Sequence, residues 1–260
     1  QISFLFVKKA SRSDKTTEAA MQISISAILK TVSSQDRGWG CIADNVLPKQ
    51  KQVKDKEVLS LFTKHINRLF KDVSEHLEYV MPDYDQLYKE LSEKQTVFHE
   101  DVRKCEGILD NSVDLVVTSP PYPNMTDYVT SQRLSYYFLG FDLTDKNSLK
   151  DLNLEIGARS RRSRKDSITR YCDDMQRANE IISQKLKSGG YACYVMPLFN
   201  TDNENNRNRR RIVHKVISTM DDCDLIKEDE FERILPTIRR SHNIKWATLE
   251  REKIYLFRKM

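Results

Sequence analysis

Glycine is scarce in this chain, at seven of 260 residues. Only glycine lets a backbone come close to a ligand or turn left-handed without strain. Glycine-rich ligand loops are therefore nearly excluded. The sole Gly-x-Gly, Gly38-Trp39-Gly40, follows a polar stretch and precedes no helical pattern, so it is not read as a cofactor loop. The last sixty residues hold no glycine at all, which excludes a permuted order with such a loop near the C-terminus. The five cysteines (Cys41, Cys105, Cys172, Cys193, Cys223) are scattered and odd in number, without a Cys-x-x-Cys pair. That excludes a disulfide or zinc framework and predicts reduced thiols in a cytoplasmic protein. The five histidines show no metal-ligand spacing, so no metal is expected. No apolar run approaches the about 20 residues that span a bilayer, and the opening Gln-Ile-Ser-Phe-Leu-Phe-Val is too short for a signal peptide. No internal repeat is visible.

What is present is a 39% hydrophobic, 31% charged chain with a formal net charge of +5. Periodicity predicts helices over 16–32, 53–79, 84–92, 129–139, 171–186 and 212–218. Ser188-Gly189-Gly190 is the expected stop of the fifth of these. Strands are expected at 96–99, 113–117 and 191–196, with the last two, 223–234 and 245–257, forming an antiparallel pair. Residues 2–7 read as a strand or a buried helix end. The division expected is a mostly helical N-terminal portion, 1–95, and a catalytic core, 96–260, with 142–167 a mobile basic loop.

The most informative stretch is Val113-Asp-Leu-Val-Val-Thr-Ser-Pro-Pro-Tyr-Pro-Asn124. An apolar strand runs into two prolines, which cannot continue a ladder because neither has a backbone N–H. They make a rigid turn at the strand's carboxyl end, where open α/β sheets place their ligands.

Thr118-Ser119-Pro120-Pro121-Tyr122, with Asn124, Asp127 and Tyr128 beyond, resembles the catalytic motif of DNA amino-methyltransferases. Its Ser-Pro-Pro-Tyr form is most similar to the cytosine-N4 group. The resemblance implies an α/β, Rossmann-like methyltransferase sheet and S-adenosylmethionine as the methyl donor. It also implies double-stranded DNA with a flipped target base as partner, with Asn124, Asp127 and Tyr128 among the DNA contacts. An exocyclic amine is a poor nucleophile because its lone pair is delocalised into the ring. Ser119 Oγ and the Pro120 carbonyl would accept hydrogen bonds from it, Pro121 would keep them rigid, and Tyr122 would stack on the extracted base.

Asp101, in Val97-Phe98-His99-Glu100-Asp101, resembles the aspartate that reaches the cofactor's adenine, and Thr118 and Ser119 are expected beside the cofactor. The family's glycine-rich loop has no counterpart here. The sequence is therefore read as a fragment of a longer chain, or as one chain of a split enzyme whose second chain supplies that loop.

Three arginine clusters suit phosphate contacts: Arg159, Arg161, Arg162 and Arg164; Arg207 and Arg209 to Arg211; and Arg239 with Arg240. All are expected in loops near Ser119, with Arg159, Arg161, Arg162, Arg164, Arg209, Arg210, Arg239 and Arg240 as the DNA contacts. Function is read as site-specific cytosine-N4 methylation in restriction–modification or phage defence. The alternatives are an adenine-N6 enzyme and a non-catalytic DNA-recognition subunit.

Overall fold

The computed structural model describes residues 15–33, 57–80, 96–125, 127–141, 154–158, 164–200, 203–235 and 249–260. Outside them lie the expected elements at 2–7 and 84–92, the Gly38-Trp39-Gly40 turn, Arg159, Arg161, Arg162, Arg239 and Arg240, and most of the 142–167 segment.

The chain divides into two compact units. One comprises Gln1–Val97 with Tyr128–Asn153, the other Phe98–Asp127 with Leu154–Met260. In the first, α1 (Lys15–Val32), α2 (Val58–Val80) and α3 (Tyr128–Phe138) are the described elements. The helix α1 packs against both others. Its Ile25 and Ile28 are buried, and Ser26 Oγ lies 2.6 Å from Ser135 Oγ on α3. α3 thus belongs to the helical unit, although in sequence it directly follows the diproline turn.

The second unit is a four-stranded mixed sheet. Its elements are β1 (Val113–Thr118), α4 (Ser167–Lys185), β2 (Leu186–Leu198), α5 (Glu204–Ser218), β3 (Leu225–Ile234) and β4 (Arg251–Lys259). The strand order is β1-β2-β4-β3. β1 and β2 are parallel, while β4 is antiparallel to both β2 and β3. The fold is therefore α/β with a final antiparallel pair, as expected from the sequence.

Alternation explains the core. On β2, Ala192, Tyr194 and Met196 are buried and pair with Phe257, Tyr255 and Lys253 of β4. α4 and α5 pack against β2. Leu186, Phe199, Val213, Met220, Cys223 and Leu225 close this core. The Tyr194 hydroxyl, too deep for water, donates to Asn179 Oδ1 at 2.9 Å, as a buried polar group must. Burial holds its pKa well above the usual phenol range and pushes the Cys223 thiol up to about 11. Such thiols are packing residues.

Three expectations need correction. Residues 96–99 form no strand and lie exposed, because no neighbouring strand among the described residues pairs with them. Helix α4 ends at Lys185, before the glycines, and β2 starts at once. The Gly-Gly signal is instead a bulge within β2: β1 advances from 113 to 115 while β2 advances from 186 to 191. Gly190 permits it, since a Cβ there would stand 2.9 Å from the Lys187 carbonyl and 3.1 Å from that of Asp114. Lastly, the arginines at 207–211 lie on a helix, α5, and not in a loop. Asn203 caps its start by accepting from Asn206 N–H at 2.8 Å, and Ile212, Val213 and Val216 bury its inner face.

Candidate active site

Ser119 follows β1 directly, at its carboxyl end, and is exposed. Behind it the chain is anchored. Pro120 and Pro123 are buried. The Tyr171 hydroxyl on α4 donates to the Pro121 carbonyl at 2.9 Å. Asn124 takes a left-handed φ of 57°, which asparagine tolerates better than most residues, and its N–H donates to the Gly157 carbonyl at 3.0 Å. Gly157 has φ +68°, and a Cβ there would meet the Tyr171 ring at 2.8 Å. The turn is thus held by residues from a loop and a helix far along the sequence.

A chain of hydrogen bonds runs across the sheet from this corner. Ser119 Oγ lies 3.3 Å from the Tyr122 hydroxyl oxygen and 3.3 Å from the Val195 carbonyl, as donor. The Tyr122 hydroxyl donates to Glu252 Oε1 at 2.6 Å. Glu252, on β4 and only 7% exposed, accepts on Oε2 from Arg233 of β3, through Nε at 3.1 Å and through Nη2. The carboxylate beside it holds the Arg233 guanidinium's pKa above its usual value. Both neighbours of Ser119 accept, so its one proton turns toward them. Its lone pairs are left for whatever approaches from the open side.

The other expected site residues are placed as follows. Thr118 ends β1 opposite Tyr194. Asp101 opens a turn, its backbone carbonyl accepting from the N–H groups of Lys104 and Cys105. Its carboxylate is engaged by Arg103, whose Nε and Nη2 donate to it at 2.9 and 2.6 Å. Those bonds hold its pKa below the usual carboxylate value. Arg103 also reaches Asp174 of α4 at 2.5 Å and the Leu154 carbonyl at 3.0 Å. Arg209 comes to the corner: its Nη2 donates to the Asn124 carbonyl at 3.4 Å, and its guanidinium lies 5.7 Å from the centre of the Phe199 ring. Arg210 is exposed on the same helix, and Arg164 is exposed just before α4. Asp127 is half-buried beyond the turn, whereas Tyr128 starts α3 in the helical unit.

Sequence reading missed Glu252, Arg233, Tyr171 and Gly157. No local signal marks Glu252, which stands between Arg251 and Lys253 just ahead of the apolar run Ile254 to Phe257.

No protein-family model matches the sequence, and no curated protein matches it. Among solved structures it is similar to the cytosine-N4-specific PvuII DNA methyltransferase, at 16% identity and a TM-score of 0.37 over 63% of this chain and 48% of that one. It is also similar to a Thermus thermophilus protein described as a DNA modification methylase and complexed with S-adenosyl-L-methionine. There the identity is 16% and the TM-score 0.34, over 61% of this chain and 51% of that one. A third is a SAM-dependent methyltransferase from Methanosarcina mazei, at 10% identity and a TM-score of 0.32, over 69% and 78%. The chain spans about half the length of the two DNA enzymes. Likeness this slight assigns no function, which has to come from the chain's own residues.

Proposed function

We propose that this chain carries the amine-activating half of a DNA methyltransferase that modifies the N4 amine of cytosine within a specific site. The restriction–modification or phage-defence role read from the sequence goes with it. The observation that carries the reading is the polarity of Ser119. Its hydroxyl stands exposed on a braced diproline corner, with hydrogen-bond acceptors behind it and its lone pairs free.

An amine donating to those lone pairs, and to the Pro120 carbonyl, has its own lone pair turned out of conjugation. Because the acceptors are fixed before the substrate arrives, no reorganisation cost falls on the reaction. The Tyr122 ring, held at its hydroxyl end, offers a face for an extrahelical base, and Arg209 and Arg210 offer charge for the phosphates. S-adenosylmethionine, when bound, supplies the methyl group.

The residues fit the amine side of this chemistry. The adenosine side is less prepared, since Asp101 is committed to Arg103. We assign Asp101 the role of ordering the 101–105 turn, which would line the adenosine side of the cofactor. The glycine-rich loop is assigned to polypeptide beyond this sequence, in the same chain or on a partner.

Mass spectrometry of nucleosides from DNA methylated by the full-length gene product tests the reading. N4-methylcytosine is the expected product, and N6-methyladenine would favour the adenine alternative. Ser119→Ala should lower the rate by roughly 100-fold or more, by analogy with losing one preorganised polar group, with duplex binding retained. Full activity in that variant would sink the assignment. The engaged state of Asp101 favours a second reading, a DNA-recognition subunit without its own cofactor. Calorimetric titration with S-adenosylmethionine, with and without candidate partner chains, separates the two.

A further inference from the structure

We infer that Glu252 is a positioning residue: it sets the direction of the protons along the Ser119–Tyr122 pair and so keeps the serine an acceptor. The inference rests on the methyl-transfer reading above and deepens it.

Arginine has only donors, and Arg233 aims two of them at Glu252 Oε2. The other carboxylate oxygen takes the Tyr122 proton at 2.6 Å, the short distance of a charge-assisted bond. With that proton committed to the carboxylate, the phenol oxygen faces Ser119 as an acceptor. The Val195 carbonyl has nothing to donate. Every proton in the series therefore points inward, toward the buried carboxylate, and none points at the open side of Ser119.

The charge matters here more than the shape. In Glu252→Gln the amide must give its oxygen to Arg233, which leaves its NH2 facing Tyr122. The phenol then accepts, and its own proton swings to Ser119. That proton consumes a serine lone pair from behind and weakens the acceptor offered to an amine. In Tyr122→Phe the relay is cut. Ser119 donates to Val195 alone, and the identity of residue 252 no longer reaches it.

Methylation of duplex DNA by the full-length protein, with S-adenosylmethionine as donor, tests this in E252Q, Y122F and the double variant. E252Q is expected to lower kcat roughly tenfold or more while KM for DNA stays within about twofold. Added to Y122F, the same change should alter kcat by less than about threefold. An equal loss in both backgrounds marks a merely structural glutamate and overturns the inference.

A second readout needs no turnover. With 13Cζ-labelled tyrosine, the Tyr122 resonance, assigned by its disappearance in Y122F, should shift in E252Q as the phenol changes from donor to acceptor. An unmoved resonance overturns the inference. If E252Q does not fold, the wild-type resonance decides, since a phenol not donating to a carboxylate overturns it equally. A protein that methylates no amine defeats the functional reading, while the resonance still decides the proton polarity.

Discussion

Asp101 and Arg103 are two residues apart and joined by several charged hydrogen bonds. The carboxylate is 20% exposed and the guanidinium 11%, so water screens the pair only in part. Folding lowers the Asp101 pKa. Its contribution is therefore fully present above the unfolded value, about 4, and fades as pH falls through the folded value. Asp101→Asn should cost about 1.5–3 kcal/mol at neutral pH and flatten the acid limb of stability below about pH 4. Denaturant melts of both forms across that range check it, and parallel acid limbs would contradict it. The turn from Ser119 to Tyr122 could be read in the sequence because its two prolines and its tyrosine are adjacent. Glu252 could not, since it lies 130 residues beyond Tyr122 and meets it only once strands are ordered.

Elements were legible where period and length agreed. Helix α1 and the strand before Ser119 came within a residue or so of their observed bounds. The start of α5 was missed because its first turns are Asn and Arg, with an apolar stripe only from Ile212. The Gly189-Gly190 pair spoke truly of a backbone irregularity, though a bulge in place of a helix stop. At this scale Gly157 is the sharpest test. Gly157→Ala would demand an alanine at φ +68° and press a methyl into the Tyr171 ring. The expected result is about 1–3 kcal/mol of destabilisation, with loss of the Tyr171 bond to Pro121 and a lowered methylation rate. Tyr171→Phe, which keeps the ring and removes only that bond, should cost about 0.5–1.5 kcal/mol by thermal denaturation.

For the molecule as a whole, composition foretold a chain able to bury a core, and none of its described helices is long and apolar enough to cross a membrane. The interleaving of the two units was not foretold. A linear division near residue 95 was expected, yet Tyr128–Asn153 groups with the helical unit. Only packing of α3 against α1, written in no local pattern, decides that. The basic character of α5 gives a whole-molecule prediction. If Arg209 and Arg210 each neutralise one phosphate, replacing either by Ala should reduce the magnitude of the slope of log binding constant against log salt by about 0.9. Duplex binding titrated over several salt concentrations measures this, and an unchanged slope removes these residues from the interface.

The relay from Ser119 ends on the last two strands, more than a hundred positions after the diproline turn where it starts. A polypeptide cut just before Arg251 would still spell Thr-Ser-Pro-Pro-Tyr in full. It would have lost the carboxylate and, with β4, the antiparallel partner of β2. Searching genomes for the short word alone would therefore count such truncated copies as competent, when the grammar that gives the word meaning sits at the far end of the reading frame.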